Sequence, residues 1–169
     1  RGDPAEVLTS EGELAAEEHV RRAWDLSLPD DLQDALIERI ESLRPDIEEA
    51  FRLRVLPCDG LSALRYRAGG FYGPHRVIAE TPDPLGLHLR RVSVVVFVNG
   101  PDDPAAPFSG GQLRFYDLLD EVDGTETGLD MKPEGGTLVA FRSGMLHEVT
   151  PVEAGERYTL VTWLNERSD

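Results

Sequence analysis

The run over residues 133–163, PEGGTLVAFRSGMLHEVTPVEAGERYTLVTW, constrains the fold more than any other stretch of the chain. It reads as a turn, a short apolar strand over residues 137–141, and a tight turn at Arg142-Ser143-Gly144. A second short strand opens on His147, a turn at residues 153–156 follows, and an alternating strand runs over residues 157–163. His147 and Arg157 stand ten positions apart on what this pattern predicts to be neighbouring strands. A neutral imidazole can bind a metal, and a fixed guanidinium can fork onto a carboxylate held nearby.

The rest of the chain predicts helices first and strands afterwards. Residues 1–9 show no period and read as a tail. Ser10 with Glu13 forms a capping box that predicts a helix to about Trp24. Asp30 or Asp31 caps a second helix with Leu32, Leu36, Ile40 and Leu43 on one face, and Pro45 opens a short third helix carrying Ile47 and Phe51. From Leu61 the pattern turns to short strands punctuated by Gly and Pro: residues 61–67, 76–80, a long apolar strand over 87–99, and 111–116. The acidic run 117–130 reads as an exposed hairpin. Strands that follow helices without alternating with them predict a mainly β domain, an antiparallel sandwich or barrel. The expected division is a tail over 1–9 and a single domain over 10–169, with helical support in 10–55 and a β core in 56–169.

Charge and composition narrow the partners. A formal charge of -15 leaves no basic patch to neutralise phosphates, which argues against nucleic acid or an anionic membrane. A lone cysteine, Cys58, excludes an internal disulfide and a thiolate metal cage. The longest apolar run, residues 92–98, is too short for a membrane span, and no signal-peptide pattern is present, so the expected compartment is the cytoplasm. Arg1 in place of Met suggests a trimmed start.

Chemistry-bearing residues sit at four places. His75 follows the glycine-rich run Tyr66-Arg-Ala-Gly-Gly-Phe-Tyr-Gly-Pro; Gly110-Gly111-Gln112-Leu113-Arg114-Phe115 leads a turn into a strand. The others are His147, and Arg157 with Thr159 on the same side of a strand. His19 reads as a surface residue and His88 as structural or pocket-lining.

Taken in order, Tyr…Gly…His, Gly-Gly-x-Leu-x-Phe, Gly-Thr-Leu-Val-x-Phe-x-Ser-Gly-x-x-His and Arg-x-Thr resemble the iron(II)/2-oxoglutarate-dependent oxygenases, in their prolyl-4-hydroxylase-like branch. The likeness covers roughly residues 61–165. It implies a double-stranded β-helix (jelly roll) buttressed by the N-terminal helices. It also implies Fe(II) held by His75 and His147, 2-oxoglutarate as co-substrate paired with Arg157 and assisted by Tyr66 and Thr159, and O2. The expected reaction is hydroxylation of an unactivated C–H in a small-molecule or peptidyl substrate. The loop 100–109 and the segment 76–85 are expected to line the substrate mouth.

One position departs from that pattern. The family's first motif is His-x-Asp, and here it reads His75-Arg76-Val77. Valine cannot ligate a metal, so the facial triad of two histidines and a carboxylate is incomplete. Glu80 or Asp83 could supply the missing oxygen, or a water or small anion could fill the position as in the family's halogenating members. Alternatively the fold survives as a non-catalytic binding module. A cupin-like metalloprotein is a further option, disfavoured because no second histidine follows His75 at the required spacing.

Overall fold

Period-two burial along one long strand organises the molecule. The computed structural model describes residues 2–8, 14–78, 86–116, 118, 127–132 and 134–167. Its strands begin with β1 (Gly2–Pro4), β2 (Val7–Leu8), β3 (Leu14–Ala15), β4 (Arg21–Arg22) and β5 (Trp24–Leu26). Two helices follow, α1 (Asp30–Glu41) and α2 (Arg44–Phe51). Next come β6 (Val55–Cys58), β7 (Ser62–Arg67), β8 (Phe71–His75), β9 (Arg90–Phe97), β10 (Phe108–Gly110) and β11 (Leu113–Phe115). The chain closes with β12 (Leu129–Met131), β13 (Leu138–Arg142), β14 (His147–Val149) and β15 (Val152–Glu166).

These strands form a jelly roll. A major sheet runs β1-β5-β7-β15-β9-β13, with β6 and β10 also paired to β15, and a minor sheet runs β12-β11-β14-β8-β4. All pairings are antiparallel. The inner faces meet in an apolar layer in which Val95, Phe97 and Phe141 of the major sheet pack against Leu113 and Phe115 of the minor one. At the other end, Leu64 and Tyr66 meet Val149 and Val152. On the outer face of the major sheet, Ile40 of α1 and Ile47 of α2 pack with Val55, Val92, Val94 and Leu164. The helices therefore buttress the sheet, although Leu32, placed on the packing face by its spacing, is 46% exposed.

The N-terminus differs from the sequence reading. Residues 2–4 are not a tail: β1 pairs with β5, and Ala5 is buried. The helix expected to reach Trp24 is replaced by β3, β4 and β5, while its capping residues Ser10 and Glu13 lie outside the described residues. The run Glu-Leu-Ala-Ala-Glu-Glu has good intrinsic helix propensity, but that is a weak preference against sheet edges offering backbone partners. Here β4 caps the edge of β8, and β5 that of β7.

Three strand boundaries also move. The strand expected at 76–80 lies earlier, ending at His75, because Gly73 and Pro74 are accommodated in β8 at a sheet position with a poorly filled ladder. Residues 87–89 form a 3-10 turn before β9. The turn expected at 153–156 is instead a bulge inside β15, where the register against β10 slips. Gly155 has φ +76°, and a Cβ there would come within 2.2 Å of the Pro107 carbonyl oxygen, so glycine is required by close backbone approach rather than by a chain reversal. Of the acidic run, residues 129–131 pair with β11, while 117 and 119–126 lie outside the described residues.

Leu164 is 1% exposed between the helices and the sheet. Leu164→Ala should cost about 2–5 kcal/mol, read as a lower denaturant midpoint at unchanged m-value; a loss under about 1 kcal/mol would show that the helices do not press on this face.

Candidate functional site

Sheet register brings the two histidines together. His147 opens β14 directly opposite His75, the last residue of β8, so both rings project from the same face of the minor sheet. Their centroids lie 4.2 Å apart with planes tilted by 53°. Each ring is fixed by its own backbone: His75 Nδ1 donates to the Gly73 carbonyl at 2.8 Å, and His147 Nδ1 donates to the Met145 carbonyl at 2.8 Å. A carbonyl only accepts, so the proton sits on Nδ1 and Nε2 carries the lone pair in both rings. That tautomer is the one a metal-binding imidazole uses when its second nitrogen is anchored.

Both rings are held neutral. The His75 pKa is lowered to about 3, chiefly by burial and further by the adjacent His147 and by Arg21, against the partly opposing Gly73 carbonyl. Burial is also the main cause lowering His147, with the Met145 carbonyl opposing and Arg76 assisting.

The two histidines share one cavity of about 790 Å3 with Tyr66, Val77, Arg157 and Thr159. Arg157 and Thr159 come from the middle of β15, and Tyr66 from its partner β7, where it is the register partner of Arg157. The Arg157 guanidinium is sandwiched between aromatic rings, 5.0 Å from the centroids of both Tyr66 and Phe97. Its Nη1 donates to Thr159 Oγ1 at 3.3 Å, while Nε and Nη2 are buried with no partner. Desolvation lowers its pKa to about 10, so it remains a cation at neutral pH. A buried cation without a counter-ion is costly, and the donor set calls for an acidic ligand with two oxygens.

Other expectations fare differently. Val77 lines the cavity, its N–H donating to the Ser143 carbonyl at 3.0 Å, so the position after His75-Arg76 does face the site. Glu80 and Asp83 lie outside the described residues. Among the described residues no group of three or more His, Cys, Asp or Glu side chains gathers to hold a metal. Of the expected mouth segments, residues 76–78 line the cavity, whereas no residue of the loop 100–109 does; that loop turns away because Asn99 Nδ2 ties the Ala106 carbonyl to the carbonyl of Glu156. His19 is exposed beside Glu17, and His88 lies in the 3-10 turn off the cavity wall.

Three lining residues were missed by sequence reasoning. Tyr72 stacks on His75 at 3.6 Å; residues three apart on a regular strand face opposite sides, so only the irregular β8–β14 register brings these rings together. Trp163 presents a buried Nε1 without a partner and lies 3.7 Å from Arg90. Arg21 reaches the cavity only because β4 pairs with β8, which no local pattern announces.

The fold is that of a double-stranded β-helix protein whose open cavity combines paired imidazoles with a sequestered guanidinium. A family model, the 2OG-Fe(II) oxygenase superfamily, matches residues 61–165, and the chain belongs to that superfamily. A PKHD-type hydroxylase of Sphingopyxis alaskensis is 32% identical over 133 residues, 79% of this chain and 53% of that protein. One from Shewanella baltica is 32% identical over 102 residues, 59% of this chain and 40% of that protein. The chain thus spans about half the length of the curated relatives it matches. Among solved structures, a Pseudomonas putida prolyl-4-hydroxylase superposes with a TM-score of 0.67 at 27% identity, covering 90% of this chain and 77% of that one. The viral collagen prolyl hydroxylase of Paramecium Bursaria Chlorella virus-1 shares the fold at a TM-score of 0.61 and 16% identity, over 88% and 81% of the two chains.

Because folding depresses the His75 pKa, the unfolded chain binds the extra proton between about pH 6.5 and 3, and the metal-free protein should lose stability as pH falls through that window. His75→Gln should flatten that part of the stability–pH curve in denaturant titrations; an unchanged slope would mean the ring is not buried neutral.

Proposed function

We propose that this chain is an Fe(II)/2-oxoglutarate-dependent oxygenase that hydroxylates an unactivated C–H bond, working with a metal site that lacks the customary carboxylate. The observation that carries this reading is the Arg157 guanidinium, fully buried, with two nitrogens unpartnered, in the cavity that also holds the two neutral imidazoles. The donor chemistry fits the cofactors. Two unprotonated Nε2 atoms suit ferrous iron, and an orphaned planar fork suits the distal carboxylate of a keto-diacid.

In this reading His75 and His147 hold the metal, and their Nδ1–H bonds to Gly73 and Met145 keep the rings aimed. Arg157 receives the carboxylate, with Thr159 and Tyr66 flanking it, so the reactive end of the co-substrate is oriented. Phe97, Phe141 and Val95 exclude water around it. When bound, iron, 2-oxoglutarate and O2 supply the oxidising chemistry, exchanging C–H for C–OH in the substrate while 2-oxoglutarate leaves as succinate and CO2. The protein moves no proton at His75, whose low pKa keeps it unprotonated throughout the neutral range.

Val77 removes one negative charge from the metal's surroundings. The coordination position is then left to water, a small anion, or a carboxylate of the 80–83 segment, and a non-catalytic binding module is the alternative function. Replacing Val77 by Asp separates these, because a carboxylate in this wall should tighten Fe(II) binding tenfold or more in anaerobic titration. No change would show that the side chain does not face the metal.

Arg157→Ala should weaken 2-oxoglutarate binding about a hundredfold while leaving Fe(II) affinity within about threefold, read from the metal-to-ligand charge-transfer band of the anaerobic complex. The same variant should leave the ligand-free protein as stable as before or more so, since it removes an unpaired buried charge. Equal losses of metal and co-substrate binding would overturn the assigned role.

A further inference from the structure

The cavity holds a second guanidinium that the proposed reaction leaves without a task. The pairing of Arg21 with Tyr72 lays the Arg21 guanidinium over the Tyr72 ring at 4.8 Å, and the opposite partner of that ring is His75. Arg21 thus stands one aromatic ring away from the candidate metal position. Its Nη1 donates to the Glu6 carbonyl at 2.9 Å, but Nε is buried without a partner. That buried Nε–H leaves room for one more acceptor, which a ligand oxygen could supply.

Asp25, four residues further on, lines the same cavity and is half-buried. No ion pair joins it to Arg21, and among the described residues no donor reaches its carboxylate. Desolvation raises its pKa, Arg21 opposes, and Glu6 and Asp3 add to the rise, so a cation beside it would be welcome. Two opposite charges on one wall, which attract one another but share no direct hydrogen bond, match a ligand that carries both signs.

We propose that Arg21 and Asp25 select a free α-amino acid as the primary substrate, held as its zwitterion with the carboxylate on Arg21 and the ammonium on Asp25. This rests on the oxygenase reading for its chemistry. It departs from a peptidyl substrate, whose flanking amides are neutral and would leave both side chains unpaired.

The test is equilibrium binding, which does not depend on turnover. The twenty free L-amino acids are screened against the whole chain by ligand-observed NMR, and any binder is compared with its own amide and its N-acetyl derivative. At least one free amino acid should bind, both derivatives should bind tenfold or more weakly, and Arg21→Gln and Asp25→Asn should each reproduce that loss. The two variants should leave the 2-oxoglutarate charge-transfer band unchanged. Failure of all twenty to bind, or equal binding of the blocked derivatives, overturns the proposal. Absence of the charge-transfer band in the parent protein, with amino-acid binding intact, overturns the oxygenase reading instead and leaves the zwitterion site standing.

Discussion

A cation sealed into the roll without a counter-ion is the constraint on which the rest of the structure turns. Arg157 is 1% exposed at the middle of β15, flanked by the two strands that form the heart of the major sheet. Desolvating a guanidinium costs several kcal/mol, and two aromatic faces and one hydroxyl recover only part of it. A chain selected for stability alone would place a leucine there. The cost is intelligible when a dianionic ligand completes the site, because ligand binding then recovers what folding gave up.

Burial, helped by charge, explains why both imidazoles are kept neutral. Burial is the largest cause at both rings, and a nearby arginine adds to it at each, Arg21 at His75 and Arg76 at His147. The Nδ1 anchors to Gly73 and Met145 then decide which nitrogen is left as donor.

The β core was legible in the sequence because its signals are local. Val and Phe in β9 mark a strand buried on both faces, glycine pairs mark the turns before β8 and β11, and the spacing of His147 and Arg157 carries the cavity. What was not legible depended on partners far along the chain. Residues 14–26 have helical composition, yet they become strands because the edges of β7 and β8 need partners that only the folded sheets present. Gly155 announces a chain reversal when read locally, whereas it is the near approach of Pro107 that demands it. Arg21 was hidden for the same reason as β4: its neighbour Tyr72 is fifty-one positions away and unrelated by any period.

That misread N-terminal segment does more than cover edges. The chain passes from the major to the minor sheet at the corner between β7 and β8, where a Cβ at Gly70 would come within 2.8 Å of the Arg67 carbonyl oxygen and 2.9 Å of that of Arg22. Residues 21–26 run antiparallel along both sides of this corner, Arg22 opposite Phe71 and Trp24 opposite Arg65. Val152 adds a third strap, with its N–H donating to the Gly70 carbonyl at 2.8 Å and its carbonyl accepting from Gly69 at 2.7 Å. Tyr66 lies just before the corner and His75 just after it, so the distance between the Arg157–Tyr66 end and the histidine end of the cavity is set by a turn held from two directions. Sites of this kind need their groups fixed to within a fraction of an ångström. The N-terminal strands brace that corner and at the same time bring Arg21 and Asp25 to the cavity wall, so one short segment both fixes the histidine end and contributes its charged lining.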